Sequence, residues 1–145
     1  MAKTIPLEFD GCWREKNKSG IPNASGIYLV YRGVFNKDAK PKPTVTLKQL
    51  IYIGESETVR DRIVEEHEGR ECWEGKLKTG EEVCYGFAPA DKANRERAEA
   101  ALVYYKKPIC NDQGKDSFNY EQTTIKSTGK CCRFIPKEFT VEKSK

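Results

Sequence analysis

The chain has 145 residues, of which 33% are charged and 37% apolar, with a net charge of +4. That length supports one domain with its own hydrophobic core, and the sequence contains neither a membrane span nor, in its opening MAKTIPLEFDGC, the apolar centre of a signal peptide. Six cysteines without a CxxC pair, beside a single histidine, argue against a structural zinc site and lead to an expectation of reduced thiols in a cytoplasmic protein.

The first 25 residues hold one short apolar run, Ile5, Leu7 and Phe9, followed by a polar loop ending in NASG. GIYLVY, residues 26–31, then alternates as a strand, with Ile27, Leu29 and Tyr31 on one face and Tyr28 and Val30 on the other. A loop rich in lysine and proline leads to a second strand near 49–53, in which Ile51 and Ile53 alternate with Leu50 and Tyr52. Paired as a long hairpin, these strands are expected to put the isoleucines on the core face and Tyr28 with Tyr52 on the opposite one.

ESETVRDRIVEEHEG, from residue 55, predicts a helix capped by Ser56 and ended by Gly69, with Val59 and Ile63 at helical spacing. A less regular stretch around Trp73 and Leu77 precedes a third strand, EEVCYGFAPA. DKANRERAEAALVYYKK is the clearest helix, with Asp91 as its cap, an apolar stripe of Ala98, Ala101, Leu102 and Tyr105, and Pro108 to stop it. The remainder reads as loops with one or two short strands. The element order implies an α+β fold, a small three-stranded antiparallel sheet flanked by helices. A single domain over 1–145 would have its core at about 25–112, with an N-terminal extension over 1–24 and a basic C-terminal extension over 113–145.

Charge is uneven. Residues 1–125 balance 20 basic against 20 acidic side chains, whereas the last twenty carry six basic and two acidic. Residues 31–48 are basic and residues 55–74 acidic. A solvated mixed surface accounts for this as well as a nucleic-acid partner does.

GIY at 26–28 and YIG at 52–54 are followed by Arg62, ten residues past Tyr52, then by Glu99, Pro108 and Asn111, the asparagine twelve past the glutamate. In this order and spacing the chain resembles the GIY-YIG endonuclease family over residues 25–112. The resemblance implies a metal-dependent DNA endonuclease that hydrolyses phosphodiesters. Tyr28 would be the general base with Tyr52 its helper, or the two exchanged, and Arg62 would meet phosphate oxygens. Glu99 would hold one Mg²⁺ or Mn²⁺ ion, and Asn111 would brace the site by hydrogen bonds. Gly26 and Gly54 would permit close backbone approach. Arg32, Lys40, Lys42 and Arg60 are candidate DNA contacts, and a protein partner could supply specificity.

Two departures stand out. The gap between the triplets is long, which implies an extended hairpin tip carrying lysines. The family often places a histidine or tyrosine four residues after the arginine, where this chain has Glu66; His67 comes one later. On a regular helix five residues is a turn of about 140°, so either the helix is distorted near its end or His67 lies outside the site. Singly, each residue has a plainer reading: Arg62 as a solvated side chain paired with Glu66, Glu99 as one helix carboxylate beside Glu96, Asn111 as a turn residue. The alternative function is a catalytically silent or partner-regulated nucleic-acid-binding module of the same fold.

Overall fold

A computed structural model describes residues 1–145. Six strands form one mixed, curled sheet: β1 (Lys3–Arg14), β2 (Gly26–Asn36), β3 (Thr44–Ser56), β4 (Glu82–Pro89), β5 (Thr123–Gly129) and β6 (Glu138–Val141). Their order across the sheet is β3-β2-β4-β1-β5-β6, and β1 with β5 is the parallel pair. The helices are few: α1 (Val59–Val64), α2 (Arg70–Gly75) and α3 (Lys92–Lys106), with a short 3₁₀ turn at Glu15–Gly20. No helix is long and apolar enough to cross a membrane.

This corrects the expected three-stranded sheet flanked by helices. Ile5, Leu7 and Phe9 are the buried face of a twelve-residue strand lying between β4 and β5. The run looks short in sequence because its other face, Thr4, Pro6, Glu8 and Asp10, carries no large apolar side chain and its far end carries Gly11 and Cys12. The segments assigned to N- and C-terminal extensions therefore complete the sheet.

Around β2 both faces of the sheet are covered, whereas β1, β5 and β6 leave one face exposed. On one side α3 packs Ala98, Ala101 and Leu102 over Ile27, Leu29 and Ile53. On the other, Val59, Ile63 and Trp73 of α1 and α2 cover Tyr28, Val30 and Ile51. The expectation that Ile51 and Ile53 share a face fails at a bulge. Val30 pairs with Tyr52 and Tyr31 with Leu50, which leaves Ile51 as the extra residue. One extra residue reverses the alternation, so Ile51 joins Tyr28 while Ile53 turns to α3.

The expected helix from residue 55 is also corrected. Strand β3 runs on to Ser56, α1 starts at Val59 without a side-chain cap, and the chain is extended again at Glu65. Three acidic residues crowd the exit, Glu65, Glu66 and Glu68, and no apolar residue after Ile63 continues the stripe. Helix α3 is better provided: the Asp91 carboxylate accepts from the Asn94 N–H at 2.9 Å.

Two disulfides, Cys12–Cys131 and Cys72–Cys110, replace the expected set of thiols; Cys84 and Cys132 remain free. They were illegible because the partners lie 119 and 38 residues apart, with the sheet alone bringing them together. The argument from thiols for a reducing compartment falls with them. Closing loops of that length stabilises the folded chain by about 2–4 kcal/mol per bridge. Dithiothreitol should accordingly lower the urea midpoint; an unchanged midpoint would count against both bridges.

Candidate active site

The pairing register explains the two triplets. Tyr28 lies opposite Gly54 across the β2–β3 pair, and its ring covers the glycine. A Cβ on Gly54 would come within 2.2 Å of the Tyr28 ring. Tyrosine and glycine are thus two halves of one contact. Gly26 serves the other neighbour, since a Cβ there would meet the Ala88 carbonyl oxygen at 2.2 Å. Gly54→Ala should therefore destabilise the fold by about 1–3 kcal/mol through overpacking. Thermal unfolding within a degree of wild type would refute the contact.

His67 meets this pair from the other side. Because α1 ends at Val64, the helical angle no longer governs its direction, and the loop between α1 and α2 turns the ring inward. Its Nε2 lies 2.7 Å from the Tyr28 hydroxyl, and the ring is 5.4 Å from that of Tyr52 and 4.5 Å from Trp73. The Gly69 N–H donates to Nδ1 at 2.8 Å. Nδ1 is then an acceptor, so the neutral ring carries its proton on Nε2 and donates it to the Tyr28 oxygen. Burial, seconded by the Arg62 charge, lowers the His67 pKa to about 4, so this neutral form holds at pH 7. For the same reason the Glu68 carboxylate, 3.9 Å from Nδ1, faces an uncharged ring and forms no ion pair with it.

Tyr28 is almost fully buried. Burial raises the pKa of both tyrosines, and the effect of each hydroxyl on the other raises Tyr28 further while lowering Tyr52. Arg62 lowers both. Its guanidinium pairs with Glu68 rather than Glu66, because the chain has left the helix where the i+4 partner would stand.

Beside this cluster a cleft of about 360 Å³ is lined by Tyr52, Glu68, Glu99, Cys110, Asn111 and their neighbours. Tyr52 and Glu99 reach it directly; Tyr28 and His67 lie behind Tyr52, and Arg62 adjoins it through Glu68. Asn111 acts on the backbone: its amide accepts from the Ile53 N–H at 3.0 Å and donates to the Ile53 carbonyl at 2.9 Å. It thereby fixes the YIG segment between Tyr52 and Gly54.

Glu99 has its pKa raised to about 7, first by burial and then by Glu55. Glu55 is held there by Arg95, whose Nε donates to it at 2.5 Å. No group of three or more metal-ligating side chains gathers anywhere. A single carboxylate beside an open cleft nevertheless fits a hard cation that keeps waters and takes its other oxygens from a phosphate. The strained proton affinity of Glu99 is the state such a charge would relieve.

The remaining candidates are dispersed. Arg32 is committed to Glu81 at 2.6 Å and to Gln49. Lys40 and Lys42 are exposed beyond the end of the β2–β3 pair, at Asn36 and Thr44. That is eight residues from Tyr28, or roughly 26 Å of strand. Arg60 is partly exposed in the first turn of α1 and does not line the cleft. Sequence reasoning missed Glu68, Trp73, Glu55 and the Cys72–Cys110 bridge. Only Trp73 gave a signal, as a large aromatic in a stretch without a helical stripe. Comparison with protein-family models, curated proteins and solved structures finds no match for this chain.

Proposed function

We propose that this chain is a metal-dependent DNA endonuclease of the GIY-YIG type, hydrolysing a phosphodiester in the cleft between Tyr52 and Glu99. The observation that supports the reading is the cluster of Tyr28, His67 and Arg62 behind Tyr52, which lines the same cleft as Glu99.

The direction of the hydrogen bonds supports Tyr52 as the base and Tyr28 as its helper. His67 donates to Tyr28, which leaves the Tyr28 proton free to turn toward Tyr52, and Tyr52 lines the cleft. A phenolate on Tyr52 is the one this chain of donors supports, so Tyr52 takes the proton of the attacking water and Tyr28 positions it. Glu99, the half-buried carboxylate of the cleft, would hold a magnesium or manganese ion. When bound, that ion offsets the negative charge developing on phosphorus. Arg62 would leave Glu68 for a phosphate oxygen.

The test is supercoiled plasmid and branched DNA incubated with the pure protein. Cleavage is expected with Mg²⁺ or Mn²⁺ and none with EDTA; intact DNA under every condition would defeat the proposal. A silent or partner-regulated nucleic-acid-binding module is the second reading, favoured by the Arg62–Glu68 pair, which occupies the arginine. Exposed pairs of this kind are worth about 1 kcal/mol or less. Glu68→Gln should therefore raise kcat/KM by only about two- to fivefold. Activity appearing only in that variant would favour the regulated module.

A further inference from the structure

Strand β3 and the exit of α3 lead from the cleft into a second groove of about 290 Å³. Lys48, Lys106, Lys107, Ile109 and Phe134 line it, and no acidic side chain does. None of the three lysines is in an ion pair; the Lys107 ammonium reaches the Lys115 carbonyl oxygen and lies 4.0 Å from the Tyr104 ring centroid. Ile109 and Phe134 are 50% and 39% exposed. Phe134 is held at φ 75, a left-handed backbone that strains a residue with a Cβ, and the Arg133 guanidinium lies 5.1 Å from its ring. Glu68 also borders a hollow whose four glutamates, Glu66, Glu68, Glu71 and Glu74, outnumber its single arginine, Arg70.

We propose that a single nucleic-acid strand runs from the cleft along this lysine-lined groove, with one base stacked on Phe134. The lysines supply sequence-independent attraction for consecutive phosphates, and an exposed aromatic ring accepts any unpaired base. The acidic hollow repels phosphates, so the strand is gripped on the lysine side. Bases in an intact duplex are stacked on one another and have no free face for Phe134. The groove thus extends the strand-cleaving reading above, on which it rests, to a preference for DNA with an unpaired segment.

Binding is to be read by anisotropy of a fluorescein-labelled 20-nucleotide oligothymidylate, in EDTA so that cleavage plays no part. A 20-base-pair duplex is the comparison. Wild type should bind the single strand at least fivefold more tightly than the duplex. Phe134→Ala should cost about 5- to 100-fold in single-strand affinity, with the salt dependence unchanged. Lys48→Ala/Lys106→Ala/Lys107→Ala should cost at least tenfold and reduce the slope of log K against log salt by about two. Equal affinity for duplex, or a Phe134→Ala variant within twofold of wild type, would overturn the groove. So would displacement of the oligonucleotide by polyglutamate at equal charge concentration, which would mark a surface for any polyanion. Binding that follows the expected pattern in a protein that never cuts DNA would sustain the groove and fail the nuclease reading alone.

Discussion

Replacing Glu99 by glutamine is expected to abolish metal-dependent cleavage and, above neutral pH, to stabilise the fold. On the catalytic side, an ion offsetting charge in the transition state is worth several kcal/mol. A loss of 3–4 kcal/mol corresponds to about 10²–10³-fold in rate. On the stability side, the folded pKa of about 7 lies above the ordinary carboxylate value because burial and Glu55 disfavour the charge. The folded protein therefore binds more protons than the unfolded chain between roughly pH 4.5 and 7. Stability should fall as pH rises through that window and stay low above it, by about 3 kcal/mol at most. Glutamine keeps the size and polarity without the charge, so the variant should lose this slope and unfold at higher urea than wild type at pH 8. Urea curves at pH 5 and pH 8, run beside plasmid cleavage, check both halves. Full cleavage in Glu99→Gln would move the metal elsewhere; equal pH slopes would remove the strain at Glu99.

The site was more legible than the fold, and the physical reason lies in what each depends on. Tyr28, Tyr52, Arg62 and Glu99 lie on four separate elements, and only the resemblance to a known family, carried by their order and spacing, grouped them in advance. The six-stranded sheet depends on pairings between distant segments, such as Lys3–Phe9 beside Thr123–Gly129. No local pattern encodes which strand will lie beside which. The bulge at Ile51 was equally hidden, because Leu50, Ile51, Tyr52 and Ile53 alternate acceptably in either register. Asn111 was found for its position but not for its work, which is to bind the backbone of Ile53.

His67 is where a local rule pointed the wrong way. A five-residue step on a regular helix separates it from Arg62, yet the helix ends after Val64 and the ring reaches Tyr28. His67→Ala should lower cleavage by about 5- to 150-fold, the loss of one buried hydrogen bond of about 1–3 kcal/mol to the tyrosine that positions the base. It also leaves the buried Tyr28 oxygen without its donor, at a cost of about 1–3 kcal/mol in stability. His67→Gln can still present an N–H to Tyr28 and should recover part of both losses, which a purely structural role for the ring would not predict for the rate. The pH dependence separates the cases further. With a folded pKa of about 4, below the ordinary histidine value, the folded state binds fewer protons than the unfolded chain between those values. Stability should therefore fall as pH drops from about 6.5 to about 4, and His67→Gln should flatten that fall. Cleavage by wild type should show no histidine inflection above pH 6, because the ring is already neutral there. An inflection between pH 6 and 7 that vanishes in His67→Gln would mean the ring titrates in the working enzyme, contrary to the donor role that the Gly69 N–H imposes on it.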